Sequence, residues 1–214
     1  MNVPDDEPFQ PAFFDPLSTD QLTRIICRQF EEQEPVSLAN PLPLFTGAGL
    51  YAIYYQGDSV KLYRPLNQLA IPVYAGQARA TNSATGRTAG KARPLMDRVQ
   101  QHRESIEGGG LPIGEFSVRL LLMPDVHIDM GENGLRVGYQ PVWNSILSGF
   151  GSHEQGSTTR QSKRSKWDTV HPGRARTYGG SAHDRDELVS RCEFAIIRQV
   201  LLYDSLPWHI AILS

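Results

Sequence analysis

The sequence predicts an α+β fold: a small mixed or antiparallel sheet with flanking helices, an N-terminal helix, a long loop and a C-terminal helix. Three observations carry this. Short β-rich stretches, Leu50-Tyr51-Ala52-Ile53-Tyr54-Tyr55, Ile71-Pro72-Val73-Tyr74 and residues 115–123, are set apart by turn-rich segments. Apolar residues recur at helical spacing over 18–34, 94–107 and 186–203. The 214 residues, 40% hydrophobic and 21% charged with a mean hydropathy of -0.36, suffice for one well-buried core with sizeable insertions, so a single domain over residues 1–214 is expected.

Taken in order, the chain opens on an irregular arm rich in Pro, Asp and Phe. Ser18-Thr19-Asp20-Gln21 then fits a capping box, and Leu22, Ile25, Ile26 and Phe30 fall on one side of an amphipathic helix ended by Pro35. Between the first two strands, residues 56–69 set Tyr51 and Tyr74 23 positions apart, which leaves room for an insertion or an extra hairpin. Residues 77–90 read as a polar loop. Pro94 is placed as the first residue of a helix whose apolar stripe is Leu95, Val99 and Ile106, stopped by Gly108-Gly109-Gly110. Residues 115–123 form the next strand, closed by Pro124. Glu132 opens a helix with Leu135, Val137 and Tyr139, weakened by Gly134 and Gly138. Residues 145–180 are loop-like and long enough to be functional or disordered; because they hold a basic cluster (Arg160, Lys163, Arg164, Lys166, Arg174, Arg176) together with Trp167 and the turn His171-Pro172-Gly173-Arg174, a DNA-contacting region that orders on binding is expected there. Residues 186–203 form a core helix through Leu188, Cys192, Ala195, Ile196 and Leu202, with acids in its first turn and no chemistry assigned.

Composition narrows the function. No apolar run approaches the roughly 20 residues that cross a bilayer, and the first residues lack the basic flank and apolar stretch of a signal peptide, so a cytoplasmic protein without a membrane partner is expected. Cys27 and Cys192 sit among helical apolar residues and read as buried free thiols, which leaves no cysteine zinc site. Net charge is -2, but it is unevenly spread. Residues 1–34 carry eight acids against two arginines, whereas residues 77–103 and 156–178 each carry six bases and one acid. Two basic segments on an otherwise acidic chain suit a phosphate-facing surface; solvated loops are the plain alternative.

Two tyrosine–glycine triads hold the candidate chemistry, Gly49-Leu50-Tyr51 and Tyr74-Ala75-Gly76, on strands that can bring two phenols to one spot. Arg98 and His102 follow at helical i, i+4 spacing, then Glu132, then Pro141-Val142-Trp143-Asn144. Each has an ordinary reading when taken singly: half-buried strand tyrosines, a solvated helix face, a surface acid, a cap. In this order they resemble the GIY-YIG nuclease superfamily, in the branch of type II restriction endonucleases, over residues 47–178. Leu50 and Ala75 replace the two isoleucines of the motif, an apolar and a small change beside the reactive groups.

Phosphodiester hydrolysis needs a positioned water, a proton acceptor, positive charge on the phosphate and help for the departing oxygen. Tyr51 is the candidate base or base relay, and the resemblance makes His102 the partner that would lower its pKa. Tyr74 would hold the water or a phosphate oxygen, and Arg98 would fork onto non-bridging oxygens. Glu132 would be the lone protein ligand of one Mg²⁺, bound with DNA and otherwise coordinated by water and phosphate. Asn144 would anchor the scissile phosphate or brace the site. Residues 47–145 would form the catalytic core and residues 146–180 the recognition region. Lys91, Arg160, Lys163, Arg164, Lys166, Arg174 and Arg176 form the pool of DNA-binding residues, because arginine and lysine pair with guanine in the major groove and with phosphates anywhere. Gly149-Phe150-Gly151-Ser152-His153, Trp167-Asp168 and the His171 turn resemble the members that cut the palindrome CCGCGG. The resemblance implies double-stranded DNA as substrate, a homodimer, and a cognate DNA methyltransferase as a functional rather than physical partner. Rival readings are a repair or mobile-element nuclease on the same core, a non-catalytic DNA-binding regulator, and an HNH-type nuclease, whose compact finger does not fit the 51 positions between His102 and His153.

Overall fold

The strand that carries the first triad is buried along its whole length, and the other elements are arranged to cover it. A computed structural model describes residues 11–15, 18–79, 93–151, 163–174 and 182–209. All seven residues of β2 (Gly49–Tyr55) are buried. Side chains alternate along a strand, so Tyr51, Ile53 and Tyr55 enter one apolar cluster and Leu50, Ala52 and Tyr54 a second on the opposite face. Among the described residues the sheet has four strands in the order β1-β4-β2-β3, with β1 (Val36–Ser37), β3 (Tyr74–Ala78) and β4 (Phe116–Leu122), every pair antiparallel.

On the Leu50 face, α1 (Thr19–Glu31) and α3 (Asp125–Tyr139) pack on each other and on the sheet through Cys27, Phe30, Ile128 and Leu135. On the Tyr51 face lie α2 (Pro94–Gly108), the short α4 (Val142–Ser145) and α5 (Lys166–Val170), and α6 (Arg185–Leu202), contributing Val99, Trp143, Trp167 and Ile196 among others. The helix over residues 94–108 starts on Pro94 as the sequence predicts. No described helix is long and apolar enough to cross a membrane. Cys27 and Cys192 are free and buried, and burial pushes both thiols up to about 12.

Several expectations are corrected. Ser18 makes no side-chain cap; its backbone is left-handed (φ 49°), and Asp15 accepts the hydrogen bond from the Thr19 backbone N–H at 2.7 Å instead. Ile25 is 62% exposed, because Cys27 and Phe30 set the buried stripe of α1. The second triad begins its strand rather than ending it: Ile71 and Val73 are buried core residues before β3, and pairing starts at Tyr74. Residues 56–69 form turns around a single 3-10 turn, Arg64–Leu66, and not a hairpin; Tyr63 and Leu66 anchor it in the core. Glu132 lies in the middle of α3. The glycines that weakened this helix are part of its packing seam, since a Cβ on Gly134 would meet Cys27 Sγ at 2.7 Å and one on Gly138 would press on Trp208; Gly131 likewise faces Leu50.

The expected DNA-contacting loop is in part core. Trp167 is fully buried on α5, and His171 is 6% exposed with Nε2 2.6 Å from the Tyr63 hydroxyl. Burial, with Arg185 and Arg174 nearby, lowers the His171 pKa from 6.5 to about 3. The unfolded chain therefore takes up a proton near pH 6.5 that the folded one refuses, so stability falls as the pH drops from 6.5 toward 3. Each pH unit in that window costs up to about 1.4 kcal/mol. Chemical denaturation at pH 7 and pH 5 is expected to show wild type losing on the order of 1–2 kcal/mol more than a His171→Gln variant over the same interval; equal losses would contradict the assignment.

Candidate active site

Strand register brings the two phenols together. Tyr51 pairs with Gly76, and Tyr74 pairs with Ile53, two positions along. Cross-strand partners share a face, so the tyrosines are diagonal neighbours, and their ring centroids lie 6.0 Å apart. Gly76 makes this possible: a Cβ there would stand 2.6 Å from the Tyr51 hydroxyl oxygen and 2.8 Å from its ring. Gly49 serves the other edge, where a Cβ would run into the Leu121 carbonyl of β4.

Helix α2 crosses β2 and β3 on this face and delivers Arg98 and His102 from successive turns. His102 is 2% exposed, and its Nε2 shares a hydrogen bond of 2.6 Å with the Tyr51 hydroxyl. The imidazole is enclosed by the rings of Tyr51 at 5.3 Å, Tyr74 at 5.2 Å and Phe150 at 4.6 Å, the last stacked at 17°. Arg98 donates from Nη2 to the Gly151 carbonyl at 2.5 Å and from Nη1 to Gln101 Oε1 at 3.3 Å.

Burial governs the electrostatics of both phenols. Burial first, and then the neighbouring Tyr74, hold the Tyr51 phenol well above its ordinary pKa; Arg98 opposes them without prevailing. Burial also raises Tyr74, with Arg98 and the Tyr51 hydroxyl opposing and Glu132 reinforcing. In the free protein, burial therefore favours the protonated form of both phenols.

Glu132 approaches from α3. Its Oε2 accepts from Gln77 Nε2 at 2.7 Å, and the same nitrogen donates to Asp129 Oδ1 at 3.0 Å. Arg79 Nε donates to Gln77 Oε1 at 2.9 Å, Arg79 also pairs with Asp129, and Arg136 stands 3.9 Å from Glu132 Oε1. The Arg79 bond, then the Gln77 bond, lower the Asp129 pKa. Gln77 pairs with Leu50 and so belongs to the α3 face. The carboxylate and the phenols thus reach β3, the edge strand, from its two faces, close enough for the Glu132 charge to act on Tyr74.

Asn144 hydrogen-bonds the backbone of β3. Its Oδ1 accepts from the Ala75 N–H and its Nδ2 donates to the Ala75 carbonyl, both at 2.8 Å, so the amide completes the free edge of β3 between Tyr74 and Gly76. Among the described residues no group of three or more His, Cys, Asp or Glu could hold a metal. Glu132 alone, its side chain 20% exposed, fits a cation that keeps most of its water.

Lys163 and Arg164 are exposed and Lys166 is half-buried, while Lys91, Arg160 and Arg176 lie outside the described residues. Arg174 departs from the DNA-binding expectation. Its side chain is 5% exposed and pairs with Asp168, 4% exposed, at 2.6 Å. Sequence reasoning also gave no role to Gln77, although it directly follows the second triad, or to the Phe150 ring, although its stretch, Gly149 to His153, carried part of the resemblance.

A four-stranded antiparallel sheet whose central and edge strands set two phenols against a helix-borne arginine and histidine defines a GIY-YIG nuclease core. The family model described as the Eco29kI GIY-YIG domain matches residues 43–196, and the chain belongs to this family of restriction endonucleases. It is a site-specific nuclease. No curated protein matches the chain.

Gly76→Ala is expected to push the Tyr51 hydroxyl off its place while leaving the sheet paired. Cleavage should fall by roughly 100-fold, as for a displacement of about 1 Å in a reacting group, with the unfolding midpoint little changed; near-normal cleavage would show that this phenol needs no such placement.

Proposed function

We propose that the protein is a Mg²⁺-dependent type II restriction endonuclease that cuts both strands of a short GC-rich palindrome, CCGCGG, in double-stranded DNA. The observation that carries this reading is the buried 2.6 Å contact between the Tyr51 hydroxyl and His102 Nε2, with Tyr74 and Arg98 alongside. In this reading a water attacks phosphorus and gives its proton to the Tyr51 oxygen as the phenol proton passes to His102 Nε2. The raised phenol pKa suits such a relay, because a neutral phenol hands on one proton as it gains another and never needs to ionise. Tyr74 orients the water or a phosphate oxygen, and Arg98 forks onto the non-bridging oxygens. Asn144 holds β3 and both its flanking motif residues in register. A Mg²⁺ held by Glu132 would supply positive charge for the departing oxygen.

Lys163, Arg164 and Lys166, with Lys91, Arg160 and Arg176 from the sequence, are proposed to contact DNA. A palindromic double-strand cut needs two sites, hence a homodimer, and a matching DNA methyltransferase would protect the host genome in the same cytoplasm. The intact set of six residues counts against a regulator with a degenerate nuclease fold.

Incubating the purified protein with plasmid DNA and Mg²⁺, then sequencing the ends, tests the activity and the site together; one GC-rich palindrome at every end is expected, and random ends would overturn the specificity. Tyr51→Phe should slow cleavage roughly 10²–10⁴-fold, the range of a lost acid–base group. Glu132→Ala should abolish cleavage while cognate DNA is still bound in a gel-shift assay. Retained cutting by Glu132→Ala with added Mg²⁺ would show the metal ligand to be misassigned.

A further inference from the structure

The buried Arg174 is unexplained by the site as described, and its contacts lead to the site. Its guanidinium uses all three nitrogens: Nε donates to Asp168 Oδ1 at 2.6 Å, Nη2 to the Gly149 carbonyl at 3.1 Å, and Nη1 to the Phe150 carbonyl at 3.0 Å and to Ser105 Oγ at 3.4 Å. One face of the group lies over the Trp167 ring at 4.3 Å. Asp168 is in turn held by the Ser165 hydroxyl at 2.5 Å. The charge is therefore neutralised inside the protein, and the fork is spent on the backbone of a three-residue segment and on the turn of α2 that follows His102.

That segment touches the catalytic groups with its other side. The Phe150 ring, 1% exposed, stacks on His102 at 4.6 Å and meets Tyr74 edge-on at 5.0 Å. The Gly151 carbonyl accepts from Arg98. Close packing leaves the segment no slack: Gly149 is left-handed (φ 106°), and a Cβ on Gly151 would strike the Tyr74 hydroxyl.

We propose that Arg174 is a positioning residue for cleavage, acting through residues 149–151: it pins the two carbonyls so that Phe150 caps the His102 ring and Gly151 aims the Arg98 guanidinium. This rests on the nuclease reading of Tyr51, Arg98 and His102. The planar fork is what the role requires, since a lysine keeps the charge beside Asp168 but gathers its donors on one nitrogen and cannot span acceptors spread around a guanidinium. The same geometry excludes Arg174 from reading DNA, as its donors are already committed.

The test uses Arg174→Lys and Phe150→Leu in the full chain, with wild type as reference. Single-turnover cleavage is measured at saturating Mg²⁺ across pH, and binding to the cognate duplex is measured in Ca²⁺ at several salt concentrations. Both variants are expected to cleave roughly 10–100-fold more slowly, to bind within about twofold of wild type with an unchanged salt slope, and to shift the pH–rate profile in the same direction, because each loosens the cover over His102. Weaker binding to the cognate duplex with a wild-type cleavage rate at saturation for Arg174→Lys would make Arg174 a DNA contact and overturn the inference. A wild-type rate and pH profile would reduce it to a structural ion pair and overturn it equally. Should Arg174→Lys fail to fold, Phe150→Leu, which leaves the ion pair intact, decides by the same two readouts. A wild-type protein that cuts no DNA would overturn the nuclease reading itself, whereas cutting by wild type with unaffected variants overturns only the role of Arg174.

Discussion

The hydrogen bond between the Tyr51 hydroxyl and His102 is the constraint on which the rest of the structure depends. It joins the central strand to α2 across a space from which water is excluded, so both partners must be delivered to within tenths of an ångström by elements far apart in sequence. The sheet supplies one coordinate. β2 is paired on both edges, and Gly49 and Gly76 let β4 and the phenol approach where any Cβ would intrude. The helix supplies the other, with Leu95, Val99 and Ile106 seating α2 so that His102 points inward. In such surroundings a charged phenolate is expensive, which is why burial dominates the Tyr51 pKa even with Arg98 beside it.

The edge strand β3 is where the two halves of the site meet. Tyr74 leaves it on one face and Gln77 on the other, so a strand of five residues presents a phenol toward Arg98 and an amide toward Glu132. An edge strand is otherwise free to fray or to pair elsewhere, and the double hydrogen bond from Asn144 closes the position between them. The family match begins at residue 43, after α1 and β1. Those two elements nevertheless bear on the site, since α1 packs against α3 through the glycine seam and α3 carries Glu132.

What could be read in the sequence follows from how local each signal is. Arg98 and His102 were legible as partners because i, i+4 spacing on a helix is a geometric statement, and the paired tyrosines because strand and glycine lie adjacent in the chain. The limits of β3 were not, since Ile71 and Val73 have strand-like composition yet enter the core from irregular backbone. Gly134 and Gly138 weakened the helix by propensity, and tertiary contacts with Cys27 and Trp208 outweighed it. The burial of Arg174 was not legible for a related reason. Its partner Asp168 is six positions away across a turn, a spacing with no regular meaning, so a buried ion pair looked like one more base in a solvated basic run.

The central claim is that His102 Nε2 stands ready to take the Tyr51 proton. Nitrogen NMR of histidine-labelled protein, with the His102 signals identified by their loss in a His102→Gln variant, reports which ring nitrogen carries hydrogen at the pH of cleavage. The account predicts a neutral ring protonated on Nδ1, with Nε2 bare and accepting from the phenol. A proton found on Nε2 would contradict it, because the imidazole would then be donating to Tyr51 and could not receive the proton that hydrolysis releases.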